Sequence, residues 1–284
     1  MSELHGAEPD SPFAVRTCCS RYEDQVVLVT GAAQGLGLVI ARRLGQEGAH
    51  VLLADVQEAK LARAGRQLSQ ELGRQVATFL GDLSRPGVAD GMADHALNEF
   101  GRIDVLINNA AALIRYRLID FPEDLMQKAV DWNVWNTVRS CKAVLPQMLQ
   151  QHYGRIVNIA GEAWRTGAPF HTLLGGVGKG GMIGLSATLA GEVARDGITV
   201  NCVSPAGFEA PPDSERDSNW VEHEPAWTPP EVLAELAQRP SQPNEIGRLA
   251  HPTEVAAAVA FLGSPEASYI TGQCLSVSGG LAMV

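Results

Sequence analysis

A chain of 284 residues with 45% apolar and 19% charged side chains is long enough to bury one large core and has the composition of an ordinary soluble globular protein. Its formal net charge of −10 excludes the basic face that nucleic acid or an anionic membrane surface would need, and reads as a solubilising shell. No apolar stretch approaches a membrane span, and 5 cysteines without pairing pattern or metal-ligand spacing predict reduced thiols, no metal centre and a cytoplasmic location.

Residues 1–23 include Glu3, Glu8, Pro9, Asp10 and Pro12, with Cys18 and Cys19 side by side, and lack a continuous apolar core. They read as a flexible N-terminal extension, neither a signal peptide nor a membrane anchor. From 24 to 284, short β-branched runs alternate with longer helical patterns. Strands are predicted at Val26–Thr30, Val51–Ala54, Val76–Leu80, Ile103–Asn108, Arg155–Ile159, Ile198–Val203 and Cys274–Val277. Continuous apolar strands separated by helices require a parallel sheet covered on both faces. Right-handed crossovers make that a Rossmann-type doubly wound sheet, a three-layer α/β sandwich in a single domain.

The stretch 207–244 breaks this rhythm with Pro211, Pro212, Pro225, Pro229, Pro230, Pro240 and Pro243, and is predicted to be a lid over a ligand. Its excess of acidic residues, Glu209, Asp213, Glu215, Asp217, Glu222 and Glu224, disfavours polyphosphate carriers. Phe208, Trp220 and Trp227 suit an apolar or aromatic small-molecule substrate.

The first strand runs into Gly31-Ala-Ala-Gln34-Gly35-Leu36-Gly37 and then into an amphipathic helix carrying Ile40 and Leu44. Glycines there let backbone approach a pyrophosphate, and the helix aims its N-terminal amides at the phosphates. Asp55, eighteen residues after Gly37, ends the next strand. A carboxylate in that place holds both hydroxyls of an adenosine ribose and repels a 2′-phosphate. The turn residues Ala32, Ala33, Gln34, Val56 and Gln57 offer no cation to offset this repulsion, so the expected cofactor is NAD.

The glycine spacing Gly31-x3-Gly35-x-Gly37 resembles that of the short-chain dehydrogenase/reductase family, and the likeness extends over roughly 24–284. Asp82, followed by Leu83, resembles the family's adenine-contacting segment. Asn108-Asn109-Ala110 is similar to its Asn-Asn-Ala-Gly signature, with Ala111 in the glycine's place. Asn133 falls where the family carries a helix-borne structural and catalytic Asn. Gly154-Arg-Ile-Val-Asn-Ile159 is similar to the strand before its catalytic serine, and Asn201-Cys-Val-Ser-Pro205 to the segment approaching the nicotinamide, where Phe208 follows. The resemblance implies that Lys179 holds the nicotinamide ribose and that the chain forms a homodimer or homotetramer.

In that family a Ser positions the substrate oxygen, and a Tyr transfers the proton beside the Lys. Here Gly175 occupies the tyrosine's place before Lys179. The serine's place falls on Gly161 when counted along the strand, or on Glu162 when counted back from Gly175. Hydride transfer at a carbonyl carbon still needs a proton partner for the oxygen. The candidates are Glu162, His171 and Lys179 itself, with Asn133 supporting a water relay. Gly175, Gly176, Gly178, Gly180, Gly181 and Gly184 crowd one helix, predicting either room beside Lys179 or close helix packing at a subunit interface. The leading expectation is an NAD(H)-dependent oxidoreductase acting on a small alcohol or carbonyl through a non-standard proton relay. The alternatives are a redox-neutral lyase or isomerase using bound NAD, and a non-catalytic NAD-binding subunit that partners an active homologue.

Overall fold

The computed structural model describes residues 20–167, 173–209, 228–238 and 244–283. All seven predicted strands form: β1 (Val26–Thr30), β2 (His50–Asp55), β3 (Val76–Leu80), β4 (Val105–Asn108), β5 (Gly154–Ile159), β6 (Ile198–Pro205) and β7 (Cys274–Val277). Every pairing between them is parallel, in the order β3-β2-β1-β4-β5-β6-β7. The chain winds outward from β1 to β3, returns to β4 beside β1, and winds outward again to β7. That reversal opens a crevice past the carboxyl ends of β1 and β4, where a sheet of this kind receives its ligand.

Period-two alternation divides the strands between two cores. Val27, Val29, Val51, Leu53, Val105 and Ile107 pack against Ile40 and Leu44 of α1 (Gly35–Gln46) and against Val255 and Val259 of α9 (Pro252–Leu262). Their neighbours Leu28, Leu52, Leu106, Ile156 and Val200 face the other way. These meet Met92 of α3 (Val88–Phe100), Val144 and Met148 of α5 (Asn136–Gln151), and Leu189 of α7 (Leu173–Val193). The remaining helices are α2 (Glu58–Leu72), α4 (Glu123–Val130), α6 (Ala163–Thr166) and α8 (Pro230–Ala237). No helix among the described residues is long and apolar enough to cross a membrane.

The predicted boundary of the extension at residue 23 needs correction. Tyr22 is completely buried, and its hydroxyl donates to the Ala260 carbonyl at 2.6 Å. Beside it Arg21 and Arg43 both grip the enclosed carboxylate of Glu47. Burial alone would raise that carboxyl's pKa, yet hydrogen bonds and charge from the two arginines outweigh it and hold the value below the usual range. The aromatic ring docks ahead of β1 because it can bury its face in the core and still satisfy its hydroxyl. Strand periodicity carries no trace of that anchor. Of the predicted lid, 228–238 includes α8, Arg117 of the β4–α4 connection pairs with Glu235 at 3.1 Å, and the rest of 210–243 lies outside the described residues.

Candidate active site

The turn after β1 is built to let backbone touch backbone. Gly31 and Gly35 have φ of +64° and +58°, values that disfavour any side chain. A Cβ on Gly37 would lie 2.2 Å from the Gly31 carbonyl oxygen, so only glycine fits there. Thr30 Oγ1 accepts from the amides of Asn109 and Ala110, both at 3.0 Å, while Asn109 Nδ2 donates to the carbonyls of Thr30 and Gly31. The ends of β1 and β4 are thereby tied into one floor. Thr30 was not among the residues predicted for the site, because a hydroxyl at a strand end gives no periodic signal.

Gln34 stands extended before α1, and no side chain among the described residues caps the first turn, which also lacks acidic groups. The helix's leading amides therefore remain open to an anion. Asp55 is 8% exposed, and its carboxylate accepts from the amides of Ala33 (3.0 Å), Val56 (2.8 Å) and Gln57 (3.0 Å). These bonds fix the carboxylate at the rim of the turn. Leu36 and Leu83 are buried beneath the crevice, whereas Val56 is 61% exposed at its edge. Asp82 accepts from the amide and hydroxyl of Ser84, which orients the loop after β3. Buried Pro205 ends β6, and Phe208 bridges to Ala250. Open helix amides, glycine-only contacts and a pinned carboxylate together fit a dinucleotide's pyrophosphate and ribose. The structure adds one cation that the turn sequence does not contain: Lys60 Nζ donates to Gln34 Oε1 at 2.7 Å. It arrives from α2, so nothing in the turn itself announces it.

The second half of the site lies where α7 passes the end of β5. Between α4 and α5, Asp131–Trp135 winds as a π-helical turn with buried Asn133 at its centre. Asn133 Nδ2 donates to the carbonyls of Ala129 (2.8 Å) and Ala112 (2.9 Å), so the amide holds backbone in place. A Cβ on Gly178 would fall 2.6 Å from Asn133 Cβ, which makes that glycine obligatory for the approach of α7. By contrast, Cβ atoms at Gly176, Gly180, Gly181 and Gly184 would meet nothing within 4 Å. These four border open space and not packed neighbours.

Gly175 is buried one turn before Lys179. Lys179 Nζ donates to the Ile159 carbonyl at 2.6 Å, at the very end of β5. Burial pulls its amine down to about 8, opposed by the neighbouring Cys202 thiol. Three residues beyond Ile159, Glu162 is 2% exposed, and neither carboxylate oxygen has a hydrogen-bond partner among the described residues. Its nearest cation is Arg165, with Nη1 at 3.9 Å from Oε2 and its guanidinium lying over Trp164. Lys179 and Glu162 thus bracket the end of β5. Next to Glu162, Gly161 leaves open space, since a Cβ there would meet only the Pro205 carbonyl oxygen at 3.8 Å. His171 lies outside the described residues.

Beneath this site a row of polar side chains crosses the sheet. Asn108, Asn158, Cys202 and Cys274 are successive register partners on β4, β5, β6 and β7. Asn108 Nδ2 donates to Asn158 Oδ1 at 2.8 Å, Asn158 Nδ2 donates to Ser186 Oγ at 2.7 Å, and Ser186 Oγ lies 3.1 Å from Cys202 Sγ. Among the described residues no group of three or more His, Cys, Asp or Glu side chains could hold a metal ion.

Comparison with known proteins agrees with this geometry. The family profile described as Enoyl-(Acyl carrier protein) reductase matches residues 31–282. A 2,3-dihydroxy-2,3-dihydro-p-cumate dehydrogenase of Pseudomonas putida is 36% identical over 262 residues, covering 92% of this chain and 96% of the relative. A 1,6-dihydroxycyclohexa-2,4-diene-1-carboxylate dehydrogenase of Acinetobacter baylyi is 36% identical over 263 residues, covering 92% and 97%. The crystal structure of a 3-oxoacyl-[acyl-carrier protein] reductase with bound NAD from Brucella melitensis superposes with a TM-score of 0.77 at 28% identity, covering 94% of each chain. The chain belongs to the short-chain dehydrogenase/reductase family of oxidoreductases.

Proposed function

We propose that the protein is an NAD(H)-dependent oxidoreductase that interconverts a ring-borne secondary alcohol, such as a vicinal diol on a partly unsaturated six-membered ring, with its carbonyl form. The observation that carries this reading is the amine of Lys179 held on the Ile159 carbonyl at the end of β5, its pKa lowered by burial to about 8, in a site where Gly175 and Gly161 bring no transferable proton. The Asp55 carboxylate, already fixed by three backbone amides, holds the adenosine ribose and disfavours a 2′-phosphate. The open amides of α1 hold the pyrophosphate. Bound at the end of β5, the nicotinamide supplies the hydride-accepting carbon.

Oxidation of the alcohol also releases the hydroxyl proton, which needs an acceptor near working pH. Lys179 and Glu162 act on it together. The amine takes the proton, and the carboxylate passes it on or orients the hydroxyl. Asn133 is a positioning residue through its Nδ2, which is committed to backbone carbonyls, while its buried Oδ1 has no partner among the described residues. The ring-diol class is favoured over a carrier-bound acyl group by the relatives that act on dihydroxylated cyclohexadiene carboxylates and by the acidic character of this chain.

The test uses the purified protein with NAD⁺ and a dihydroxycyclohexadiene carboxylate. One NADH formed per diol consumed is expected, and Lys179→Ala should lower the rate on the order of 10²–10⁴-fold. Glu162→Gln should lower it as well. Product without net NADH would instead identify a redox-neutral enzyme. Failure to bind NAD⁺ or NADH by calorimetry would overturn the reading altogether.

A further inference from the structure

Cys202 and Cys274 are direct register partners on β6 and the edge strand β7. Neighbouring strands run about 4.7–4.9 Å apart, inside the ~4.4–6.8 Å range of Cα separations that a disulfide spans. Paired residues in a parallel ladder point to the same face, and each thiol is among the groups that act on the other. Their surroundings are unequal. Cys202 is buried against Ser186, while Cys274 is half-buried at the sheet edge, with Ser204, Arg165 and Glu162 acting on it.

We propose that Cys202 and Cys274 form a peroxide-reactive dithiol: Cys274 is the thiol attacked first, and Cys202 resolves it as an intramolecular disulfide. The pair adjoins the proton relay proposed above, with Cys202 beside Lys179 and Glu162 acting on Cys274, but its thiol chemistry does not depend on that reading. In the first step the Cys274 thiolate attacks one oxygen of hydrogen peroxide. The O–O bond breaks, a sulfenic acid forms, and hydroxide leaves. Cys202 sulfur then attacks the Cys274 sulfur and displaces its hydroxyl. The two departing hydroxyls leave as water with the protons of the two thiols. Both sulfurs are oxidised by one electron each, and peroxide is reduced by two.

The inequality of the pair supports this order. Cys274 is half-buried where peroxide can reach it and Cys202 is enclosed; in addition Cys202 pulls the Cys274 pKa below the ordinary thiol value, with Arg165 acting in the same direction against burial. Cys274 in turn, together with burial, drives the Cys202 thiol up. Cys141 provides an internal control. It is buried, has no thiol partner among the described residues, and is pushed up to about 12 by burial.

The experiment treats the full chain with hydrogen peroxide, alkylates the remaining thiols after unfolding, and maps the peptides by mass spectrometry. The expected product is a cross-link between the Cys202 and Cys274 peptides that a thiol reductant reverses, with Cys141 fully alkylated. Cys202→Ser should stop at a dimedone-trappable sulfenic acid on Cys274, and Cys274→Ser should lose the peroxide reaction of this pair. Because serine is close in size to cysteine, both variants are expected to fold, and circular dichroism checks this directly. Unchanged alkylation of both thiols would overturn the proposal. So would conversion of Cys274 to a sulfinic acid in the wild-type chain without any cross-link.

Discussion

Gly178 and Gly184 lie on the same helix and differ only in what stands opposite, so identical substitutions there should have opposite effects. An alanine methyl at 178 would sit 2.6 Å from Asn133 Cβ and 3.2 Å from the Asn133 carbonyl oxygen. Carbon atoms rest comfortably at about 3.5–4.0 Å, so α7 or the π-helical turn must retreat by roughly 1 Å. Overpacking of this kind costs about 1–3 kcal/mol. Replacing a helical glycine by alanine returns about 1 kcal/mol of helix propensity. At Gly184 nothing lies within 4 Å of the added methyl, so only the gain remains. Gly178→Ala should therefore be less stable than Gly184→Ala by about 1–3 kcal/mol. Urea unfolding at constant m-value measures that difference. The displacement also moves Asn133 relative to Lys179, so Gly178→Ala should lose activity even at temperatures where it stays folded. Equal denaturation midpoints for the two variants would refute the close approach.

The remaining predictions concern charge. Glu47→Ala strands Arg21 and Arg43 without their shared carboxylate and should cost about 3–5 kcal/mol in thermal or chemical unfolding. Since the folded pKa of Glu47 is lowered, its contribution is complete above the ordinary glutamate value and is lost as pH falls through the folded one; Glu47→Gln should flatten that part of the wild-type acid-unfolding curve. Lys179 acts in the same sense at the alkaline end of the pH axis. Its folded amine titrates near 8 while the unfolded one stays near the ordinary ~10.4, so between those values the unfolded chain binds more protons and stability rises with pH. Lys179→Met should remove that rise in unfolding scans, and in the wild type the rate of alcohol oxidation should climb through about pH 8. On the proposed cofactor assignment, Asp55→Ala forfeits charged hydrogen bonds to the ribose worth about 1.5–3 kcal/mol. Calorimetry should show NAD⁺ affinity falling on the order of tenfold or more, with NADP⁺ less affected.

The sheet was legible because its strands are short, apolar and bounded by turn residues, so Val26–Thr30 and Val76–Leu80 have the bounds predicted for them. The turn after β1 was legible for the same reason: its glycines and Asp55 are local in sequence, and the structure brings them together. What could not be read is what arrives from elsewhere in the chain. Tyr22 reaches Ala260 across 238 residues, and Lys60 reaches Gln34 from the next helix. The glycines of α7 looked alike as letters, but only the packing of the π-helical turn singles out Gly178 from the four that border open space. The burial of Glu162 likewise depends on the β5–β6 pairing continuing beyond Ile159, with the Glu162 amide donating to the Pro205 carbonyl at 3.1 Å.

The row Asn108–Asn158–Ser186–Cys202 acts as a registration key for the strands. A slip of one residue in β4, β5 or β6 would turn these side chains to the opposite core and press an aliphatic neighbour, such as Ile107 or Val157, against an unanswered amide. Misalignment is penalised twice, once by the orphaned polar atom and once by the misplaced apolar one. Because Ile159 and Pro205 lie only one and three residues beyond this row, the key also levels the ledge on which Lys179 and Glu162 sit.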